Sequence, residues 1–558
     1  MKNFSASKNW QLEASLIALF GVLAALIFFI HLGDYPLFNP DEGLYAEPAR
    51  EMLDTGEYIT TTLNYAIRFT KPPLVIWAMA LGYKFFGINE FAARFFSATS
   101  GFLLIIVTYL FTNKYLGRRT AAFCAVILLT SPLFIGVGRM AITDMPLSLF
   151  TAGSLFAFFH GWKQKQFFWI LIAYVLTAFA IMTKGPVGLL LPIVILSTFF
   201  YLRGQLKNAF QFFRIPVGVF LVGLIALPWF VIEIAVTHGA YFQEFIMREN
   251  FARFTSVVDA HKGPWWYHIA AIFGGLFPWS ILLPQALFTI FNNFRTTASF
   301  TNPSKINFAA FFSKCLITCK SLENQDEVLL FAILSSIIII GFFSASVSKL
   351  LPYTLPAFPA LAIIVAYQCS ALLQNKSIKN TFIYLFLFTT IYAIAAFLCP
   401  LFLKHLRNSP IELISVLNQY TAVLGCISLL SIVLLACKRQ SLSLASLFAG
   451  ITIITIFFIP QLLSVLSQSW EQTAALYARF ARLSHKPFIV YRLRKPSLPF
   501  YYRQQVLQPA NIDELKNASK DNQPYYLITS NKYLPEVESL GYKLVDQGTN
   551  YSFLVFSK

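Results

Sequence analysis

Residues 15–33, SLIALFGVLAALIFFIHLG, are followed within a few positions by 38–45, FNPDEGLY, so a long apolar run ends close to two adjacent carboxylates, Asp41 and Glu42. A hydrocarbon core about 30 Å thick needs roughly 20 apolar residues in a helix. The first stretch meets that requirement. Charge is kept out of the apolar stretches of this chain, so an acidic pair just past a membrane span reads as functional equipment.

Outward from this stretch the pattern repeats. The 558 residues are 57% hydrophobic, 17% aromatic and 12% charged, against about one quarter charged in soluble proteins. The chain therefore reads as an α-helical polytopic membrane protein. Apolar runs at 15–33, 92–112, 120–138, 144–161, 167–182, 186–202, 215–236, 267–291, 328–345, 354–373, 381–402, 414–436 and 442–461 give about thirteen transmembrane helices. The first is too long for a removed signal peptide and lacks a small-residue cleavage pattern, so it is expected to stay as an anchor.

Lys and Arg in short loops stay cytoplasmic. With the N-terminus inside, the basic residues Lys114, Arg118, Arg119, Lys163, Lys165, Arg203, Lys207, Arg214, Arg295, Lys305, Lys314, Lys320, Lys376, Lys379, Lys438 and Arg439 all fall on that side. The net charge of +18 then reflects topology and attraction to anionic lipid, not nucleic acid. The seven cysteines lie in spans or on the inner side, which implies no disulfide framework. Cys315 and Cys319 have no further metal ligands nearby in sequence and read as solvated thiols.

The expected organisation is a membrane domain over 1–461 and a small extracytoplasmic α/β domain over 462–558, built on short runs at 488–491, 525–529, 542–545 and 551–556. Outer loops 34–91 and 237–266 would form the active face. The first carries an amphipathic helix over 42–55 and an interfacial apolar segment over 74–86. Charges gather in these loops and their neighbours: Asp41, Glu42, Glu47, Arg50, Glu51, Arg68, Lys71, Arg139, Asp144, Lys184, Glu244, Arg248, Glu249, Arg253, Asp259, His261, Lys262 and Lys349. The span middles stay uncharged. Chemistry on a lipid-linked substrate at the outer surface fits that distribution better than ion-coupled transport, which needs ionisable groups at the midplane.

Each residue also has a plainer reading. Asp41 and Asp144 could cap the helices that follow them. Lys71 could anchor the interface by snorkelling, and Lys184 could be a loop residue at a helix end. Glu47, Arg50 and Glu51 read as a solvated helix face. His261 and Lys262 would meet lipid phosphate, and Tyr353 and Trp265–Trp266 would be belt aromatics.

In combination, PDEGLYAEPAREM (40–52), FTKPPL (69–74), RMAITDMPL (139–147), TKGPVG (183–188), NFARF (250–254) and KLLPYTLPAFPALA (349–362) resemble the bacterial aminoarabinose lipid A transferases. Those belong with the protein O-mannosyltransferases to the membrane glycosyltransferases of GT-C fold. The resemblance implies inverting transfer of a sugar from a polyprenyl-phosphate donor to a lipid, glycan or protein acceptor at the outer face of a bacterial inner membrane. It gives Asp41 the place of the catalytic aspartate and Asp144 that of a second, with Glu42 beside them. Lys71, Arg253 and Tyr353 take positions that hold the donor phosphate, and Lys184 joins them. The contrasting class is a flippase for the same lipid-linked sugars.

Family members often carry Glu before Lys-Pro-Pro and His before the x-x-Arg-Phe stretch, residues associated with a metal. This chain has Thr70 and Asn250 there. Zinc prefers imidazole, thiolate or carboxylate, so no metal is expected at that position. No cofactor is firmly implied, though oxygen ligands from Asp41, Glu42 and Asp144 leave a hard divalent cation open.

Overall fold

The computed structural model describes residues 2–69, 71–252, 263–297, 324–374, 411–467, 471–518, 524–548 and 550–556, with isolated positions at 319, 322, 390, 394 and 398. Among them, eight helices are long and apolar enough to cross a membrane, or ten if each of two bent pairs is one span. The chain is a multi-pass membrane protein.

Among the described residues the expected count of thirteen is not reached, for identifiable reasons. The run at 381–402 lies outside the described residues apart from isolated positions. The run at 144–161 is a helix, Asp144–Gln164, with nearly all of its side chains facing protein, but it is not among those apolar enough to count. Small and hydroxyl residues let it pack there, and Ser154 Oγ meets Thr177 Oγ1 of the neighbouring helix at 2.7 Å. Val187–Leu202 is apolar but short. The runs at 120–138 and 267–291 each break into two helices, bent by 64° and 113°. Ser131 shows the cause at the first break: it precedes Pro132, which disfavours helical backbone, and it sits extended at ψ 114°.

Buried arginines fix the end of the bundle where residues 34–91 lie. Arg139, at the end of Pro132–Gly138, donates to the carbonyls of Ile27 and Ile30 and so caps the first span. Arg94, in helix Glu90–Leu116, donates to the carbonyls of Leu32, Tyr35 and Pro36 at 2.9 Å each. The chain leaving the membrane is thus held before it reaches Asp41. At the opposite end of Asp144–Gln164, Lys163 pairs with buried Glu327, which Arg203 also meets at 3.1 Å.

Above the bundle lies helix Gly43–Thr55, followed by a hairpin of β1 (Thr62–Leu63) and β2 (Ala66–Ile67), then helix Leu74–Phe86. Over these sits a mixed sheet of β3 (Phe488–Val490), β4 (Tyr525–Ser530), β5 (Lys543–Gln547) and β6 (Tyr551–Phe556), in the order β3-β4-β6-β5. Only the β3–β4 pair is parallel. Alternation along the strands sorts the side chains. Phe488, Val490, Tyr526, Ile528 and Phe553 join the core shared with Leu37, Ala46 and Met52, while Ile489, Tyr491, Leu527 and Leu554 pack on Leu515 and Val537.

This cover corrects one expectation. Glu47, Arg50 and Glu51 are buried, not solvated, because helix Ser497–Tyr502 packs on Gly43–Thr55. A Cβ on Gly43 would stand 2.5 Å from the Ser497 nitrogen, so only glycine permits the approach. Arg50 binds Glu47 at 2.7 Å, and Glu51 accepts from the Tyr65 amide at 3.1 Å and from the Thr62 hydroxyl. Burial pushes the Glu47 carboxyl up to about 8, against the pull of Arg50.

Candidate active site

Asp41 lies exposed in the turn that starts helix Gly43–Thr55, but the N-cap position itself falls on Glu42. The two adjacent carboxylates face opposite ways. Glu42 is fully buried and accepts from Arg94 Nε at 2.8 Å and Nη2 at 2.7 Å, from the Phe38 amide at 2.8 Å and from the Ala141 amide at 2.7 Å. Four donors occupy its acceptor capacity, and it joins the first outer loop to the loop that carries Asp144.

One helical turn beyond Asp41, the half-buried Tyr45 connects it to the second aspartate. Desolvation holds the Tyr45 hydroxyl well above the usual phenol range, Asp144 raises it further, and Arg68 and Thr143 oppose; Asp41 adds a smaller upward push. Arg68 itself donates to the Leu44 carbonyl at 2.6 Å, which sets its guanidinium beside this turn.

Asp144 is the first residue of its helix, with Thr143 at the N-cap. The capping reading therefore gives way to an ion pair: Asp144 Oδ1 meets Lys184 Nζ at 2.5 Å, both side chains being largely buried. Lys184 ends helix Phe167–Lys184 and lies 4.5 Å from the centre of the Tyr353 ring, within range of a cation–π attraction. Asp144, Lys184 and Tyr353, far apart in sequence, thus form one cluster at the end of the bundle under residues 34–91, with Tyr45 and Asp41 on its flank. Tyr353 is part of it, not simply a belt aromatic. Beside it, buried Lys349 donates to the carbonyls of Ser344 and Ser346.

Lys71 is drawn to the large loop instead of snorkelling. Its ammonium meets Glu249 at 3.1 Å, and both side chains are largely buried. Glu249 belongs to a π-helical stretch, Phe242–Ala252, which reaches the cluster through Phe245. A Cβ on Gly185 would lie 2.5 Å from the Phe245 ring, and Gly185 has φ +78°. Glycine is needed there on both counts. Thr70, Arg253, Asp259, His261 and Lys262 lie outside the described residues, as does the Asn250 side chain.

The Asp41 turn is also gripped from the sheet side. Asn39 Nδ2 donates to Glu471 at 2.7 Å and to Ser497 Oγ at 2.6 Å, its Oδ1 accepts from the Ser497 amide at 3.0 Å, and the Leu37 amide donates to the Tyr501 hydroxyl at 2.8 Å. Glu471 is held in turn by Lys495 at 2.6 Å.

Sequence reasoning missed Tyr45 and Arg68 as neighbours of the aspartates, Glu249 as the partner of Lys71, and Arg94 as the partner of Glu42. Tyr45 carried a usable signal, since i and i+4 share a helix face. The other pairings span tens to hundreds of residues. A divalent cation does not fit what is described: Glu42 is committed to four donors, Asp144 is paired with Lys184, and no three His, Cys, Asp or Glu side chains gather among the described residues.

The family described as dolichyl-phosphate-mannose-protein mannosyltransferase matches residues 15–240. The undecaprenyl phosphate-alpha-4-amino-4-deoxy-L-arabinose arabinosyl transferase of Pectobacterium atrosepticum is 30% identical over 356 residues, 63% of this chain and 58% of that protein. The protein of the same name from Shewanella sediminis is 29% identical over 372 residues, 65% of this chain and 61% of its own. The match thus spans less than two thirds of those relatives' lengths. In structure the chain is similar to ArnT from Cupriavidus metallidurans bound to undecaprenyl phosphate, with a TM-score of 0.73 at 22% identity over 97% of each chain. The fold is shared.

Proposed function

We propose that this chain is a membrane glycosyltransferase of GT-C fold that moves a sugar from a polyprenyl-phosphate donor to an acceptor at the outer face of a bacterial inner membrane, with inversion. The leading substrate pair is aminoarabinose, by analogy with the names its relatives carry, and lipid A, by the resemblance of its motifs to the lipid A transferases. The N-terminus is then cytoplasmic, and the sheet over residues 488–556 belongs to an extracytoplasmic domain.

One observation carries the reading: an exposed aspartate, Asp41, flanks the ion pair of Asp144 with Lys184 at the outer end of the bundle. In the proposed reaction an acceptor oxygen attacks the anomeric carbon as the carbon–oxygen bond to phosphate breaks. Asp41 takes the acceptor proton. The electron pair of the broken bond goes to the phosphate, where Lys184, Lys71 and Arg253 stabilise it in a site poor in water. Lys71 and Lys184 rest on Glu249 and Asp144, and donor binding would exchange a carboxylate partner for a phosphate one. Tyr353 holds Lys184 in place through its ring.

Purified protein given labelled polyprenyl-phosphate sugars and lipid A in detergent should yield glycosylated acceptor. A flippase needs two compartments, so flipping in vesicles with no transfer in detergent would overturn the enzyme reading.

A further inference from the structure

A second cluster of charge lies away from Asp41, where the sheet unit meets the outer end of helix Glu90–Leu116. Arg479 and Arg482 on helix Thr473–Leu483, and Arg503 just past helix Ser497–Tyr502, line a cleft of about 310 Å³ that Ile88, Glu90 and Leu483 complete. Three guanidiniums face one carboxylate. Glu90 is engaged by Arg479, which also lies 4.8 Å from the Tyr501 ring centre. Arg503 gives one bond to the Ile88 carbonyl at 3.1 Å. Arg482 is half-buried and has no ion-pair or hydrogen-bond partner among the described residues. Partial burial first, and then the positive charges of Arg482, Arg50 and Arg479, hold the Arg503 guanidinium below its ordinary range. Such mutual repulsion is relieved by a bound anion, and planar guanidiniums suit phosphate.

The surroundings indicate where that anion comes from. Leu476, Phe480 and Leu483 stand exposed at i, i+4 and i+7 along one side of the arginine-bearing helix. In the chain just before Ile88, helix Leu74–Phe86 leaves Leu81, Phe85 and Phe86 exposed. Apolar side chains beside arginines at the end of a membrane helix match the level of lipid headgroups.

We propose that this cleft binds the phosphate of an anionic lipid headgroup in the outer leaflet through Arg479, Arg482 and Arg503. Neither the donor nor the acceptor of the proposed transfer is required for it. The cleft nonetheless adjoins the active face, because Tyr501 both stacks on Arg479 and accepts from Leu37.

The test uses the full chain in nanodiscs of phosphatidylcholine doped with phosphatidic acid and no sugar donor, reading the phosphatidic acid that stays bound after extraction by native mass spectrometry. Arg482→Gln should retain about tenfold less, as expected for loss of a charge-assisted contact, while retention of phosphatidylcholine stays as it was. Arg503→Gln provides a second reading should Arg482→Gln fold poorly. Equal retention in both variants overturns the site. Displacement of the lipid by millimolar inorganic phosphate alone would assign the cleft to a free anion and overturn the lipid assignment. Because no sugar is transferred, either result stands apart from failure of the glycosyltransferase reading.

Discussion

Asp41 and Glu42 are neighbours in sequence with opposite environments. Glu42 is sealed behind the loop with Arg94 and two amides, whereas Asp41 stands exposed on the front with Tyr45 one turn away. The same division runs along helix Gly43–Thr55, whose rear holds Glu47, Arg50 and Glu51 under the sheet unit. Burial thus separates two roles for charge at this face: the sealed acids hold the loop, and the acid at the surface is the one proposed above for proton transfer.

The strongest test is Asp41→Asn, expected to lower turnover by roughly 100- to 10,000-fold with donor binding and folding intact. Near-normal turnover would erase the division. Glu42→Gln should behave in the reverse sense, costing about 3–5 kcal/mol of stability by leaving Arg94 buried without its counter-charge, read as a shift in denaturation of the detergent-solubilised protein. A stable Glu42→Gln that has lost turnover would move Glu42 to the reacting side. Next, Lys184→Met should weaken polyprenyl-phosphate binding by about 2–5 kcal/mol if the site is desolvated, measured by titration; unchanged affinity removes Lys184 from the donor site.

A smaller effect concerns Glu47. Its carboxyl is raised from 4.5 to about 8 in the folded chain, so the folded state holds the proton more tightly and stability should fall as pH rises from about 5 to about 8. Glu47→Gln should flatten that slope in thermal melts. An identical slope in the variant would mean that Arg50 keeps Glu47 ionised throughout. The smallest expected effect is that of a chelator, which should leave turnover unchanged; loss restored by zinc in preference to magnesium would bring a metal back into the site.

The spans were legible because lipid enforces length and apolarity locally. The run at 215–236 coincides with helix Ile215–Val236, and the shorter interfacial segment at 74–86 with Leu74–Phe86. Bends at Pro132 and Pro278 left the hydropathy unchanged and stayed hidden. Asp41, Asp144, Lys184 and Tyr353 could be named from residue type and order, yet their grouping depends on contacts between distant segments. Glu47 and Glu51 were misread for the same reason. A polar helix face looks alike whether water or a layer some 450 residues downstream covers it, and only the fold distinguishes the two.

The grip of Asn39 on Ser497 and of Leu37 on Tyr501 has a consequence for biogenesis. The turn bearing Asp41 leaves the ribosome well before the partners that seat it, which lie 458 and 464 residues further along the chain. A nascent protein can complete its membrane insertion with that turn unseated. Truncation before residue 497 should therefore yield an inserted but inert product, so that competence is acquired only once those partners have been made.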